Sequence, residues 1–379
     1  MHDLHVIGAG PAGCVAALSA IRKHNARVTI SEEHECVGVP ANCSGLFSVD
    51  GLETLRDYVD YRGTVINDIC GAVIDLCGEK ITVKRKNAVA HVCNRALLDL
   101  RIAENAEKEG AEIRYGERIS TGIVDRFKTD NIIGADGPNS FVARSFGFPK
   151  IGKFVATAQT TVRYAAEDPH MVEVFLSNSM FPGFFGWVIP HNEEKAEFGC
   201  GIKILNRGTN VMDALDLLLK MKNIVRNKNI NGERNKGGHA TVKCAIIPIE
   251  TRKRTAMRRN GKNVLLVGDA AGQTKSTTGG GVIIGGNCAR IAGENFDNPL
   301  GYEIKWRAKF GADLFIHSFV NRYLSAKSDA ELKQLGARLR TSGLERFLSK
   351  HGHMDRPTRM ITPGALGRLL GNAWGLRGI

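Results

Sequence analysis

The N-terminal stretch of the chain carries residue types that bind a nucleotide. Gly8, Gly10 and Gly13 form a GxGxxG pattern between an apolar run and an alanine-rich stretch. A glycine turn between a strand and a helix exposes backbone N–H groups to phosphate, and the positive end of the helix dipole adds to the attraction. Glu32 follows Gly13 by nineteen residues, and an acid at this offset reaches a ribose hydroxyl in dinucleotide folds. The pattern therefore predicts a dinucleotide site.

A second glycine-rich stretch lies in the last third of the chain. The apolar run Val264–Val267 predicts a buried strand, which leads into Gly268 and Asp269, and three successive glycines follow at 279–281. Because the carboxylate of Asp269 would repel a phosphate, a ribose or ribityl hydroxyl group is its more natural partner. Taken alone, this stretch is equally well explained as a structural turn.

A third turn of the same kind indicates how the nucleotide-binding region is divided. Gly134, Asp136 and Gly137 follow a strand-like run at 131–133 and precede a helix start. The sequences between the three turns do not alternate strand and helix as a simple α/β domain does. The spacing therefore predicts a nucleotide-binding domain that is discontinuous in sequence and interrupted by inserted sheet.

Two inserted stretches have the pattern of β-strands. Residues 64–92 predict an antiparallel excursion, and residues 154–248 predict several strands with one helix at 212–225. Phe184, Phe185 and Trp187 lie in the second stretch, next to a Pro-Gly kink. Such an aromatic group is either the core of a sheet or an apolar wall over a ligand pocket.

Two side chains between the first two turns are candidates for a function. Cys43 lies in a loop between Pro40 and Gly45, where packing and a functional role are equally plausible. Arg95 lies in the first turn of an amphipathic helix predicted for residues 94–109, where the helix dipole disfavours a cation. A contact with a pyrophosphate would offset that cost; a solvent-exposed arginine is the alternative.

The positive charge of the chain is concentrated in two regions. The 379 residues carry a formal net charge of +13, with a net of +10 in residues 222–262 and +6 in residues 327–379. These regions indicate an anionic partner: a phosphate-bearing substrate, an acidic lipid surface, an acidic protein or nucleic acid. A solvated basic surface is the simpler alternative. The second region lies in a predicted helical tail after Asn298, whose amphipathic pattern allows contact with a membrane surface or with water alone.

The sequence has no feature of an exported or membrane-spanning protein. The first residues enter a strand without the basic segment or apolar core of a signal peptide. No apolar run approaches the roughly 18–20 residues that a spanning helix needs. The nine cysteines include no CxxC pair. These features predict a reduced cytoplasmic protein without a disulfide framework or a metal site, with peripheral contact to the inner face of the cell membrane left open.

Together, the three turns resemble the FAD-dependent oxidoreductases of the p-hydroxybenzoate hydroxylase fold over about residues 1–300. Within that fold, the chain is most similar to the archaeal geranylgeranyl reductase family. Four motifs carry this resemblance: P-x-x-C-x-G at 40–45, Arg95 with the following Leu-Leu-Asp, GDAAGQ-x-K-x-TTGGG at 268–281, and P-x-x-F-x-W-x-I-P at 182–190. The family usually has tyrosine and phenylalanine where this chain has Phe185 and Ile189, a departure that leaves an apolar pocket but weakens the identification of the substrate.

The resemblance implies an α/β fold with an α+β insert. Residues 1–63, 94–150 and 262–298 would form a discontinuous Rossmann-like FAD-binding domain. An antiparallel-sheet substrate domain would comprise residues 64–93 and 151–261, and residues 299–379 would form a helical C-terminal region.

The resemblance also implies a set of binding residues for FAD and substrate. The cofactor would contact the first glycine turn, the acid after it, the Cys43 loop, the predicted helix start and the last glycine turn: Gly8, Gly10, Ala12, Gly13, Glu32, Cys43, Ser44, Leu46, Arg95, Ile119, Asp269, Gly280, Gly281 and Val282. An isoprenoid chain would lie against Phe184, Phe185 and Trp187.

The implied activity is saturation of C=C bonds in geranylgeranyl or other isoprenoid chains of archaeal-type membrane lipids, by hydride transfer from reduced flavin. Cys43 is the candidate catalytic residue. Because no second nucleotide fingerprint is visible, electrons would come from transiently docked NAD(P)H or a small ferredoxin-like carrier. An FAD-dependent monooxygenase, either a hydroxylase or a halogenase, is the alternative within the same fold. A flavin-free module for nucleic acid or membranes would make all three glycine motifs coincidental, so no nucleic-acid partner is expected.

Overall fold

The computed structural model describes residues 3–120, 129–204, 210–224 and 241–360. The strands in this part of the chain are β1 Asp3–Ile7, β2 Arg27–Ser31, β3 Leu46–Ser48, β4 Val65–Ile69, β5 Gly71–Leu76, β6 Glu79–Lys84, β7 Ala90–Cys93, β8 Glu112–Arg114, β9 Asn131–Gly134, β10 Phe154–Arg163, β11 Met171–Leu176, β12 Gly186–Pro190, β13 Lys195–Lys203, β14 Lys243–Pro248, β15 Ala256–Arg259 and β16 Lys262–Leu266. The helices are α1 Pro11–His24, α2 Val49–Glu53, α3 Arg95–Lys108, α4 Phe141–Ser145, α5 Val211–Met221, α6 Val282–Gly293, α7 Pro299–Trp306, α8 Ala312–Ser325, α9 Asp329–Thr341 and α10 Leu344–His351.

A six-stranded sheet brings the three glycine-rich turns to one edge. Its order is β15-β16-β9-β1-β2-β8, and every pair is parallel except β15–β16. The turns at 8–13, 134–137 and 268–272 follow β1, β9 and β16, which are neighbours in this sheet. Because the carboxyl ends of parallel strands share an edge, the turns meet there, where ligands of such sheets bind. The predicted α/β nucleotide-binding fold is confirmed.

A seven-stranded sheet forms the second layer, in the order β14-β10-β13-β12-β11-β5-β6. The sequence predicted an antiparallel sheet, and one pair departs from this, because β5 and β11 are parallel. Parallel neighbours need a long crossover, and here the chain between residues 76 and 171 passes through the six-stranded sheet before it returns. The sheet is therefore mixed.

The strand-rich stretch at 64–92 is divided between two sheets. β5 and β6 belong to the seven-stranded sheet, whereas β4 and β7 pair with β3 in a small three-stranded sheet.

The two faces of β13 have different neighbours. Its even-numbered residues, including Phe198 and Cys200, pack in a core with Leu215 and Leu218 of α5. The intervening glycine Gly199 lies against the ring of Trp187 on the opposite face. That face turns toward the three-stranded sheet, since Trp187 shares an apolar cluster with residues of β4 and β7. One face of the seven-stranded sheet therefore packs against α5, and the other lies toward the glycine turns.

The C-terminal helices cover the β6 edge of this sheet. The backbone N–H groups of Thr82 and Lys84 donate to Glu345 and Ser349 of α10, at 2.8 and 3.2 Å. The predicted helical tail is interrupted between α9 and α10, where Gly343 has a φ of 77°. Residues 361–379, which complete the predicted tail, lie outside the described part of the chain. No described helix has the length and apolarity to cross a membrane.

Candidate functional site

The first glycine turn is tightly closed on one side and open on the other. A Cβ atom on Gly13 would lie 1.9 Å from the carbonyl oxygen of Gly8, and one on Gly8, where φ is 99°, would lie 2.5 Å from the carbonyl oxygen of Ala135. A Cβ atom on Gly10 would meet no protein atom within 4 Å. The first and third glycines are therefore needed for chain packing, whereas the backbone at Gly10 faces open space.

The helices that follow two of the glycine turns begin without a capping side chain. Gly10 precedes α1 and Gly281 precedes α6, and at neither helix does a side chain accept from the first-turn N–H groups. By contrast, Asn94, Asn210 and Asn298 cap α3, α5 and α7. Uncapped N–H groups at a helix start attract an anion. Helices α8 and α10 also lack a capping side chain, so what sets α1 and α6 apart is that their uncapped starts directly follow glycine turns.

The first and last glycine turns are in direct contact. A Cβ atom on Gly268 would lie 3.1 Å from the Cβ atom of Ala12, and one on Gly285 would lie 2.9 Å from the Cα atom of Gly268. Further along, a Cβ atom on Gly293 would lie 2.1 Å from the carbonyl oxygen of Ala16, so α1 and α6 pack backbone to backbone. Turns that are more than 250 residues apart in sequence therefore form one surface.

Glu32 is fixed against the first turn. One carboxylate oxygen accepts from the backbone N–H of Ala9 at 2.8 Å, and the other accepts from the backbone N–H of His34 at 3.0 Å. The His34 ring nitrogen lies 2.6 Å from that second oxygen. Ile119 follows Glu117, whose backbone N–H donates to the carbonyl oxygen of Glu32, and it is buried in the core with Ile7 and Ile132. The carboxylate that was predicted to hold a ribose thus also holds the turn in place.

Asp269 is a half-buried carboxyl group beside the last glycine turn. Burial raises its pKa to about 6, and the positive charge of Arg95 works against that rise. A Cβ atom on Gly281 would lie 2.9 Å from its Oδ1 atom, so glycine keeps the space beside the carboxyl group open. A hydroxyl donor placed there would stabilise the carboxylate.

Arg95 faces the same space from α3. It donates to the carboxylate of Asp99 at 2.8 and 3.1 Å, and its guanidinium lies 5.7 Å from the ring centre of Phe47. Burial lowers its pKa, but the neighbouring side chains of Cys43 and Asp99 raise it by more, so the pKa of Arg95 is raised overall. Its side chain is only 12% exposed, which excludes the solvent-exposed alternative.

The loop that contains Cys43 packs closely against the backbone of β7 at Gly45. Gly45 has a φ of 72°, and a Cβ atom there would lie 2.1 Å from the carbonyl oxygen of Cys93. Cys43 itself is exposed, Ser44 is half-buried, and Leu46 packs against the apolar cluster of the seven-stranded sheet.

The aromatic residues Phe184, Phe185 and Trp187 form a continuous row. The ring centres of the first two are 4.4 Å apart, and those of the last two are 5.5 Å apart. Glycines in β13 make room for them, because a Cβ atom on Gly199 would lie 2.3 Å from the Trp187 ring and one on Gly201 would lie 2.3 Å from Phe184. The row is part of a sheet core, since Phe184 and Trp187 are 5% and 7% exposed.

One end of this aromatic row reaches the last glycine turn. A Cβ atom on Gly279 would lie 3.4 Å from the Phe184 ring. At this end Phe184 and Phe185 line a small cavity with Leu176, Leu324 and Leu332, and the rest of its lining is polar: Ser177, Asn178, Thr277, Asn321 and Ser325. The predicted substrate residues and the predicted cofactor turn thus lie on two sides of one region.

Comparison with known proteins places this geometry in a family. The model of the FAD binding domain family matches residues 79–287, which is more than half of the chain. The chain belongs to this family. FAD is therefore its cofactor, and the protein is an FAD-dependent oxidoreductase.

The similarity to two named relatives extends over almost the whole chain. A digeranylgeranylglycerophospholipid reductase of Methanosarcina acetivorans is 29% identical over 90% of this chain and 89% of its own. A protein with the same name from Methanocaldococcus jannaschii is 25% identical over 92% of this chain and 94% of its own.

Solved structures show the same fold. A geranylgeranyl bacteriochlorophyll reductase-like protein from Thermoplasma acidophilum matches 99% of this chain and 97% of its own, with a TM-score of 0.72 and 20% identity. The halogenase PltM, solved in complex with FAD, matches 95% of this chain and 85% of its own, with a TM-score of 0.58 and 15% identity. These likenesses establish the p-hydroxybenzoate hydroxylase-like fold.

The described residues fit FAD at three points. The open backbone at Gly10 and the uncapped starts of α1 and α6 suit a pyrophosphate. The space that Gly281 leaves beside Asp269 suits a ribityl hydroxyl group, which would donate to the half-buried carboxylate.

Glu197, a buried carboxyl group, was not predicted from the sequence as a site residue. The Nε1 atom of Trp187 donates to its Oε1 atom at 3.2 Å, and burial raises its pKa. The hydroxyl group of Ser44 is close enough to lower that pKa in part. Nothing in the sequence pointed to Glu197, because a single glutamate in a strand does not show which residues it contacts.

A buried ion pair that links the C-terminal region to the last glycine turn was also missed. The Nζ atom of Lys275 lies 2.6 Å from Oδ1 of Asp355, and the side chains are 9% and 5% exposed. The hydroxyl group of Ser48 donates to the same carboxylate. Lys275 lies beside Gly280, since a Cβ atom there would be 2.7 Å from the lysine Cε. Eighty residues separate the two charges, and nothing in either segment pointed to the other.

Proposed function

We propose that the protein reduces C=C bonds in the geranylgeranyl or related isoprenoid chains of membrane lipids. One observation carries this proposal: the aromatic row of Phe184, Phe185 and Trp187 reaches the glycine turn that would border the flavin. A hydrocarbon chain offers no hydrogen bonds, so only apolar contact surface can position it. The relatives named digeranylgeranylglycerophospholipid reductase support this choice of substrate.

The proposal assigns the cofactor to the surface formed by the joined turns. The pyrophosphate would be held by Gly8, Gly10, Ala12 and Gly13, and the adenosine ribose by Glu32. Ile119 would contact the adenine through its backbone, and Arg95 would balance the phosphate charge. Asp269 would accept from a ribityl hydroxyl group. The isoalloxazine ring would be flanked by the residues of two loops: Cys43, Ser44, Leu46, Gly280, Gly281 and Val282.

The protein residues would then position the substrate, exclude water and supply a proton, since reduced FAD supplies the hydride when bound. The apolar row and the cavity beside it would hold the chain with its double bond facing the glycine turn and would exclude water. Cys43 is exposed in the loop beside Arg95 and stays the sequence-based candidate for a catalytic group.

We further propose an external electron donor and contacts for the lipid headgroup. NAD(P)H or a ferredoxin-like protein would reduce the flavin from outside, because the chain has no second nucleotide fingerprint. The basic regions at 222–262 and 327–379 would hold a phosphate-bearing headgroup or an anionic lipid surface. We place the protein in the cytoplasm, with peripheral contact to the inner face of the cell membrane.

The test is an anaerobic reduction with product analysis. The purified yellow protein is supplied with excess chemical reductant and a lipid that carries geranylgeranyl chains, and a fully saturated lipid of the same headgroup is the control. The expected product gains two mass units for each double bond reduced. Unchanged lipid, together with NAD(P)H oxidation that depends on oxygen, would instead identify a monooxygenase. A protein that contains no flavin would contradict both functions.

A further inference from the structure

Glu197 is a buried carboxyl group in a strand of the seven-stranded sheet. It lies in β13 opposite Ile189 of β12 and Thr161 of β10. It is 5% exposed, and its side chain shares the face of the sheet on which Trp187 packs. A buried carboxyl group costs folding free energy unless it is fully paired. An apolar residue would fill this place at lower cost, so the carboxyl group needs a reason.

The neighbours of Glu197 connect it to the predicted flavin loop. Burial raises its pKa, while the Trp187 indole, the Ser44 hydroxyl and the charge of Lys243 lower it by less. Glu197 therefore keeps its proton to a higher pH than an ordinary glutamate does. Ser44 is half-buried and belongs to the loop that the proposed function sets beside the flavin ring.

The other side of Glu197 opens into a polar cleft. This cleft is lined by Gln159, Thr160, Thr161, Glu197, Thr241 and Lys243. The Nε2 atom of Gln159 is buried and has no hydrogen-bond partner among the described residues, so it can bind water in the cleft. Lys243 is exposed at the rim. The polar groups of this cleft can hold water next to the carboxyl group.

Saturating a C=C bond consumes one hydride and one proton. The hydride comes from reduced FAD, and the proton has to come from a group that is refilled after each turnover. We propose that Glu197 is the proton source of the reduction, acting through the Ser44 hydroxyl group and refilled from water in the cleft. This inference rests on the proposed function.

The relay balances in protons and electrons. The hydroxyl proton of Ser44 passes to the second alkene carbon as the hydride, with its electron pair, forms the first new C–H bond. The Ser44 oxygen takes the proton of the Glu197 carboxyl group in the same step. The Glu197 carboxylate then takes a proton from water in the cleft. Glu197 is thus a positioning residue that stores the proton, and Ser44 is the group that touches the substrate.

The first test compares Glu197→Gln with Glu194→Gln, a matched variant on the exposed part of the same hairpin. The rate of flavin reoxidation by lipid is measured anaerobically across pH. In the wild type and E194Q, the rate should fall as pH rises through the Glu197 pKa, because only the protonated carboxyl group donates. In E197Q, the rate should be lower by about 100-fold, the usual minimum scale of general acid catalysis, and that fall should be absent. KM for the lipid should not change.

The second test needs no turnover. The emission of Trp187 is followed during a pH titration of the same proteins, with Trp187→Phe to identify the signal of this indole. A titration step should appear in the wild type and E194Q and be lost in E197Q and W187F. Ser44→Ala keeps this step but should lower the rate of lipid reduction, which covers the case in which E197Q does not fold.

The outcomes separate the relay from the proposed function. An E197Q or S44A protein with the wild-type rate and pH profile would overturn the relay while the reductase activity stands. A wild-type protein that never reduces lipid would overturn the proposed function and the relay with it, even if the Trp187 step were present.

Discussion

Glu32 and Glu197 are buried carboxyl groups at opposite ends of the site, and they are held differently. Glu32, 8% exposed, accepts from two backbone N–H groups and lies 2.6 Å from a histidine ring nitrogen. Glu197, 5% exposed, accepts from the Trp187 indole and has its pKa raised by burial. The proposed nucleotide end is built from backbone and fixed contacts, whereas the proposed substrate end is built from side chains, one of which would exchange a proton in the relay. The two ends should therefore respond differently to mutation.

The largest effect is expected at the nucleotide end. Gly13→Val would place a Cβ atom 1.9 Å from the carbonyl oxygen of Gly8, a contact with backbone that cannot relax cheaply. We expect loss of folded, flavin-bearing protein, measured as flavin content and thermal unfolding. Gly10→Ala is the control, because its Cβ atom meets no protein atom within 4 Å. G10A should fold normally and bind FAD more weakly. A G10A protein with wild-type FAD affinity would contradict the pyrophosphate position.

The ion pair between Lys275 and Asp355 should give the next largest effect. Asp355→Asn leaves a buried lysine without its partner, which typically costs about 3–5 kcal/mol. Burial raises the pKa of Asp355, but Lys275 and Ser48 lower it by more, so its pKa is lowered overall. A lowered carboxyl pKa stabilises the fold above the unfolded value of about 4 and stops doing so as pH falls through the folded value.

The difference in unfolding free energy between wild type and D355N should therefore be full at pH 7 and shrink below about pH 4. Urea unfolding at several pH values measures it. Replacing both partners together, as Lys275→Met with Asp355→Leu, should recover much of the loss. A gap that does not change with pH would show that the charge of Asp355 is not what stabilises the turn.

Asp269→Asn should act in opposite directions on stability and on cofactor binding. Because burial raises the pKa of Asp269 to about 6, its charge destabilises the FAD-free protein above that pH and costs nothing below the unfolded pKa. D269N should thus raise the unfolding free energy of the FAD-free protein by about 2 kcal/mol at pH 8. It should also weaken FAD binding, and the wild-type affinity should fall as pH falls through 6 while that of D269N stays level. Equal loss of stability and affinity would contradict this assignment.

The smallest effect is expected at the edge of the aromatic row. Phe185 is half-buried beside the cavity, so Phe185→Ala should leave the fold intact. The lost contact area should raise KM for an isoprenoid lipid by about tenfold, or about 1.4 kcal/mol. Phe185→Leu is the matched control, and its KM should lie between those of the wild type and F185A. An unchanged KM would place the isoprenoid chain elsewhere.

The nucleotide end could be predicted from sequence because its requirements act on residue type. Only glycine fits where a backbone oxygen lies 1.9–2.5 Å from the Cβ position, as at Gly8 and Gly13. The three turns were therefore visible before their strands were known to be neighbours. Helix α3 was also confirmed within one residue at each end.

The substrate end was less predictable because its contacts join distant segments through common residue types. The proposed role of Glu197 depends on Ser44, in a loop about 150 residues earlier in the chain. An isolated glutamate in a strand does not show that it contacts such a loop. The parallel pairing of β5 with β11 was missed for the same reason, since strand patterns do not report direction. Arg95 is the intermediate case: its poor place in the helix suggested a role, and its burial beside Asp99 supports one.

One measurement tests most directly whether the apolar row and the flavin serve a single reaction. Enzyme with chemically reduced flavin, free of excess reductant and oxygen, is mixed rapidly with geranylgeranyl lipid while the absorbance of oxidised flavin is followed. We predict that the absorbance returns in one turnover, with one double bond lost for each flavin reoxidised, and that a saturated lipid has no effect. Flavin that stays reduced until air is admitted, with the lipid unchanged, would contradict the account.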